Sequence, residues 1–199
     1  MARTILFLLF FIFSSIIFSQ SYDQNYTAVY ALKDARGTEI SRFKHYRNGN
    51  KLRFNIVQNS GMDNEKTIDI YIFKDEGKVY TVTAGRGYKT GSRHALDMSF
   101  IGMQTGVYIL DLGNDGSIFN SNSRNGTNTV LGNTCTIYTL ATQGDAKSEY
   151  SMYQDNLMLK RVVGSPTEGN TLEAASYDPN ANVPESMFTL PTDVQFLDY

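Results

Sequence analysis

The chain has 199 residues, with 18 lysines and arginines against 20 aspartates and glutamates, a formal charge of −2. That balance gives no electrostatic reason to expect nucleic acid as a partner. A lone cysteine, Cys135, excludes a disulfide framework, so the fold must be stabilised by packing.

The first stretch reads as a targeting segment. Arg3 precedes an apolar run over 5–18, and Ser19-Gln20-Ser21 follows with small residues near a cleavage point. A basic start, an apolar middle and a small-residue end describe a secretory signal peptide. The run is shorter than the roughly 20 residues of a membrane span. Residues 1–19 are therefore expected to be removed, and no cysteine follows them to carry a lipid. Loss of Arg3 leaves 17 basic and 20 acidic residues, a charge of 17 − 20 = −3. Residues 20–199 suffice for one domain with a real core and are too few for two comfortable ones.

Tyrosine and phenylalanine are abundant, tryptophan is absent and proline scarce, a composition that favours strands. Residues 25–33 read as the first strand, with Tyr26, Ala28, Tyr30 and Leu32 on one face. Strands over 39–47 and 51–58 form the clearest hairpin, joined through Asn48-Gly49, the dipeptide suited to a type I′ turn. Phe43, His45, Leu52, Phe54 and Ile56 then share one face. Arg42, Lys44, Lys51, Arg53 and Asn55 share the other. A slip of two residues in pairing leaves these faces unchanged. Residues 67–74 alternate again, with Ile68, Ile70 and Ile72 together, and Asp75-Glu76-Gly77 turns the chain into 78–83. Short connections make the neighbours antiparallel.

The middle is less regular. Residues 84–92 are glycine-rich and basic and read as a flexible connector. The spacing of Leu96, Phe100, Ile101 and Met103 predicts a helix over 94–103, ended by Gly102 and Gly106. Residues 107–112 fit a helix or a strand. The polar stretch 113–128 reads as a long exposed loop. Strands resume over 129–142, 149–153, 157–164 and 171–177, separated by turn residues. Pro184 and Pro191 bracket a last apolar segment, which is expected to lay Phe188 and Leu190 on the core and close an edge. The expected class is mainly β (α+β): one curled antiparallel sheet forming a half-open barrel, with one or more short helices over the open face.

Several residues carry a family resemblance. Leu131-Gly132-Asn133-Thr134-Cys135-Thr136-Ile137-Tyr138 makes a Gly-x-x-Cys-x-x-Tyr strand. Tyr153-Gln154-Asp155 follows, then Asn156-Leu157-Met158-Leu159-Lys160-Arg161-Val162, Glu173-Ala174 and the closing Asn182 to Pro191 segment. In this order they resemble uncharacterised secreted domains related to the LolA/LolB lipoprotein-carrier superfamily. The resemblance covers the second half, and the first half only through its strand pattern. It implies a half-open antiparallel barrel with helices over the opening. In the characterised carriers the cavity holds acyl chains, but no cavity residue transfers one by one, so fold carries over better than activity.

Recognisable catalytic chemistry is sparse. Cys135 lies in an alternating strand, where cysteine is usually a small buried hydrophobe. Only His45 and His94 are available as bases or ligands. His45 reads as a partly buried strand histidine and His94 as a helix N-terminal or loop residue. No carboxylate spacing makes a zinc site with them. Gly85-Arg86-Gly87-Tyr88-Lys89-Thr90-Gly91 lacks the phosphate-loop ending and reads as a connector or lid hinge. The basic face of Arg42, Lys44, Lys51 and Arg53 suits a solvated outer surface, with anionic headgroups or an acidic partner as the alternative. No cofactor or metal is expected.

The leading expectation is an exported, non-enzymatic carrier or binding protein, monomeric, in the periplasm or outside the cell. Phe43, Leu52, Phe54 and Ile70 would form a greasy trough, with Met98, Phe100 and Met103 in a soft cover that a lipid or lipoprotein acyl chain displaces. Each buried CH₂ would give about 0.8 kcal/mol, so a modest trough suffices. The alternative is a cell-envelope interaction module with a filled core that meets another envelope protein. A hydrolase using either histidine ranks last.

Overall fold

Short alternating segments joined by tight turns leave the chain one economical arrangement, a single antiparallel sheet that follows the sequence. A computed structural model describes residues 25–112, 119–141, 147–164 and 169–199. The segment read as a signal peptide, 1–19, lies outside the described residues, as does 113–118 of the polar stretch. Twelve strands form one sheet. They are β1 (Tyr26–Lys33), β2 (Glu39–Asn48), β3 (Lys51–Gln58), β4 (Lys66–Phe73), β5 (Lys78–Gly85), β6 (Tyr88–Ala95), β7 (Arg124–Val130), β8 (Asn133–Ala141), β9 (Lys147–Tyr153), β10 (Leu157–Val163), β11 (Asn170–Asp178) and β12 (Phe196–Asp198).

The spatial order is β12-β6-β5-β4-β3-β2-β1-β11-β10-β9-β8-β7. Each hairpin thus lies beside the last, and β1 joins the two halves by pairing with both β2 and β11. No ladder joins β7 to β12, so the sheet curls without closing. Bulges at Val29/Tyr30, Met158/Lys160 and Arg124/Thr127 add local bend. The Tyr30 hydroxyl donates to the Met158 carbonyl at 2.7 Å across the concave side. The concave face holds the core: Tyr30, Leu52, Phe54, Ile70, Ile72 and Val79 meet Met152, Met158 and Leu159 from the far half. The architecture is the half-open barrel expected from the sequence. The helix α1 (Met98–Thr105) is its one α-helix among the described residues, and no described helix is long and apolar enough to cross a membrane.

The first hairpin keeps the expected faces with a shifted register. Phe43 pairs with Ile56, His45 with Phe54 and Arg47 with Leu52. Gly49 and Asn50 are the central turn residues, and Gly49 alone has positive φ, at 54°. That suits a type II′ turn rather than type I′. The pairing has slid by two residues, which preserves every side-chain direction.

Other elements differ from the sequence expectation. The glycine-rich stretch 84–92 is no connector: it supplies the turn and strand of the β5–β6 hairpin, with Gly85 opposite Tyr88. The helix begins at Met98, and His94 belongs to β6. The stretch over 129–142 breaks at Leu131-Gly132, both with positive φ (51° and 78°), and Val130 pairs with Asn133 across the turn. Residues 124–128, expected in a loop, belong with Thr129 and Val130 to the outer strand of that hairpin. Residues 107–112 form neither an α-helix nor a strand of the sheet: Ile109 makes an isolated bridge to Leu157 and Leu110–Leu112 form a 3₁₀ turn.

The C-terminal segment takes an unexpected side of the sheet. Phe188 is buried in a 3₁₀ turn, Glu185–Phe188, but it stands outside the central core cluster, and Leu190 is half-buried. The segment crosses the convex face. The Asn48 amide donates to the Val183 carbonyl, Lys51 pairs with Glu185, and Arg53 donates to the Met187 carbonyl. Further on, Lys89 meets Asp193, and β12 then pairs with β6 in parallel. Much of the basic face predicted to be solvated is thus met by carboxylates and carbonyls.

Candidate functional site: a groove at the mouth of the half-barrel

The concave face is filled at one end and partly open at the other. At the filled end, period two points Arg47 inward beside His45. Its side chain is 1% exposed. Asp111, brought in by residues 107–112, meets it with both carboxylate oxygens, Nη1 to Oδ1 being 3.0 Å. The Arg47 Nε donates to the Gly49 carbonyl at 2.9 Å and Lys74 lies 3.3 Å from Asp111 Oδ2. Asn156 fixes the same arm, accepting from the Asp111 amide and from the Leu110 amide. Burial alone would raise the Asp111 pKa. The hydrogen bonds and charge of Arg47, with Lys74, outweigh it and hold the carboxyl below its usual range.

His45 is fully buried, stacked on Phe54 at 4.1 Å and edge-on to Tyr26 at 5.1 Å. Neither ring nitrogen has a hydrogen-bond partner among the described residues. Burial, reinforced by the Arg47 charge and opposed by Asp111, pushes its pKa down to about 3. It is a neutral packing ring, more deeply buried than the sequence suggested. His94 touches the Ser92 hydroxyl at 3.1 Å and packs against Phe100 and Tyr199. Cys135 is buried, and burial raises its pKa, opposite to the shift a nucleophile needs. No group of three His, Cys, Asp or Glu among the described residues is placed to hold a metal ion.

At the other end lies a half-open groove of about 350 Å³. Its floor runs across five neighbouring strands: Arg161 and Val163 on β10, Leu172 on β11, Leu32 on β1, Phe43 on β2 and Ile56 on β3. The end of α1, Met103 to Gly106, forms the overhanging wall. Gly106 turns the chain off the helix with φ 71°, and a Cβ there would lie 3.1 Å from Leu172, so the backbone closely approaches the floor. Thr105 ties the helix end down, donating to the Ile101 carbonyl and accepting from the Val107 amide.

The expected binding residues separate accordingly. Phe43 and Met103 line this groove, and Met103 is 78% exposed on its rim. Leu52, Phe54 and Ile70 are fully buried in the core. Phe100 packs on His94 at the start of α1. The Met98 side chain lies outside the described residues. The sequence reading missed Arg161, Leu172 and Ile56 as groove residues. Ile56 and Phe43 shared a predicted face, but that β3 and β10, four steps apart in the sheet, line one groove is a long-range fact.

No protein-family model matches the chain, and no curated protein matches it. Solved structures do. PNGF-II, in two crystal forms, superposes with TM-scores of 0.54 and 0.52 at 12% and 10% identity, covering 88% of this chain. The chain spans about a third of the length of PNGF-II (32% and 31%). MucB in complex with MucA(peri) gives a TM-score of 0.39 at 11% identity over 85% of this chain and 55% of that one. At these identities the likeness to PNGF-II is one of fold alone.

Proposed function

We propose that the protein is an exported, non-enzymatic binding protein of the LolA/LolB-like kind, whose ligand is an apolar chain received by the groove between α1 and the concave sheet. The observation that carries this reading is the groove itself. Its volume of about 350 Å³ falls within the range of small-molecule sites, roughly 300–1,000 Å³. Leu32, Phe43, Ile56, Val163 and Leu172 give it a continuous apolar floor, and the exposed Met103 supplies an adaptable rim. The buried, proton-poor His45 and the inert setting of Cys135 favour binding over catalysis. The apolar run over 5–18 supports export.

The test is uptake. Delipidated protein is titrated with an environment-sensitive apolar dye and competed with single-chain amphiphiles. Binding is expected, and Met103→Asp on the exposed rim is expected to weaken it without altering the melting temperature. Failure of the wild-type protein to take up any dye or amphiphile sinks the reading.

One observation favours a second reading, an envelope interaction module: Leu52, Phe54, Ile70 and Ile72 fill the barrel interior to zero exposure. Another envelope protein would then be the partner. That reading predicts a melting temperature indifferent to every amphiphile.

A further inference from the structure

Arg161 is the one charged residue lining the groove among the described residues. Its Nε is buried and has no hydrogen-bond partner among the described residues. Its guanidinium lies 5.7 Å from the centre of the Tyr150 ring, and Nη1 sits close under Gly106 at the end of α1. Arg42, Arg47, Arg53, Arg86, Arg93 and Arg124 each meet a carboxylate within 4 Å. Arg161 meets none among the described residues; neither does Arg36, which stands on an exposed turn. A half-buried guanidinium with a dry, unsatisfied N–H is costly unless an anion completes it. A cation–π contact and a helix C-terminus moderate its charge but supply no acceptor for its fork of N–H groups.

We propose that Arg161 makes the groove a site for a single-chain aliphatic carboxylate, the carboxylate on the guanidinium and the chain along the apolar floor. The proposal rests on the reading of the groove as a binding site and adds the chemistry of the head group. The geometry fits this ligand in three ways. Arg161 stands at the β10 end of the floor, and Leu172, Leu32, Phe43 and Ile56 succeed it strand by strand. Four interstrand steps of about 4.8 Å give a track of roughly 19 Å along the curl. The groove lies near the lower size limit of small-molecule sites, which suits one chain rather than the two of a phospholipid. Finally, Ser41, Gln58 and Asn170 edge the floor with neutral polar groups, and no carboxylate among the described residues lines the groove to compete for the cation.

The experiment is calorimetric titration of the delipidated full chain with decanoate, decan-1-ol and decyl phosphate, in wild type, Arg161→Met and Arg161→Lys. Wild type is expected to bind decanoate at least tenfold more tightly than decan-1-ol. Arg161→Met is expected to erase that preference while keeping its affinity for the alcohol, which also shows that the groove is folded. Arg161→Lys should fall between, since lysine keeps the charge and loses the planar fork. Equal wild-type binding of acid and alcohol, or a preference that survives Arg161→Met, overturns the role of Arg161 while leaving the groove reading intact. Tighter binding of decyl phosphate than decanoate overturns the carboxylate assignment. Binding of none of the three overturns this proposal together with the groove reading.

Discussion

The two ends of the concave face are built from the same strands and serve opposite ends. Around Tyr26, His45 and Arg47 the face is sealed: the 3₁₀ turn over Leu110–Leu112 delivers Asp111, and all three side chains are buried. Around Phe43, Ile56 and Arg161 only the last turn of α1 leans over the sheet, and space remains. Both ends carry an inward arginine. At the sealed end a carboxylate 64 positions away in sequence completes it. At the open end nothing described does. The contrast suggests that a half-barrel closes where its own chain supplies the counter-charge and stays receptive where it does not.

The sharpest way to break the contrast is at the sealed end. Asp111→Ala leaves a buried guanidinium unpaired, and chemical denaturation should show a loss of about 3–5 kcal/mol. Replacing both partners, Arg47→Met with Asp111→Leu, should recover most of it. A double variant as unstable as the single one would show that the arm is held by something else.

His45 should make that end sensitive to acid. Its folded pKa of about 3 lies below the 6.5 of an unfolded histidine. The unfolded chain therefore takes up a proton first as pH falls. Stability is complete above about pH 6.5 and declines from there toward pH 3, by about 1.4 kcal/mol per pH unit from this residue. Asp111, with its pKa lowered in the fold, adds to the loss only as pH falls below the range of an unfolded carboxyl. Melting curves of His45→Phe between pH 4 and 6.5 should lack the first component; an unchanged slope would refute it.

The convex face gives a smaller effect. A Cβ on Gly91 would fall 2.4 Å from Val194 Cγ1 and 2.8 Å from Phe196 Cδ1. Gly91→Ala should cost about 1–3 kcal/mol and speed hydrogen exchange over 194–198. Exchange identical to wild type would mean that β12 adjusts freely. Smallest of all, Leu131 has positive φ in the β7–β8 turn and is largely exposed. Leu131→Asn should raise stability by about 1 kcal/mol, because asparagine tolerates that conformation. A lower melting temperature would contradict this.

The sequence made the sealed end half legible. Alternation placed Phe43, His45, Leu52 and Phe54 on one face, and the Asn-Gly turn marked the hairpin even though its pairing slid. Arg47 shares their parity, yet a charged side chain is rarely fully buried unless it is paired. Only the distant Asp111 explains it, and no local pattern links 47 to 111. Two polar strands were hidden for a related reason. β6 and β7 expose residues such as Tyr88, Lys89, Asn125 and Thr127, so the apolar half of their alternation is missing. Leu131 concealed a turn because leucine rarely takes positive φ. The groove was legible only through Phe43 and Met103, since its other walls meet through the curl.

One consequence follows from β7. Its outer side pairs with no described strand, which leaves a row of main-chain donors and acceptors facing away from the sheet. Such a border invites other copies of the molecule to zip on and grow into fibres. The bulge between Arg124 and Thr127, the glycine at 126 with φ 93° and the run of asparagine and threonine spoil it as a template. A curled sheet that never closes thus carries a free margin whose bend and hydrophilic side chains discourage strand-to-strand recruitment.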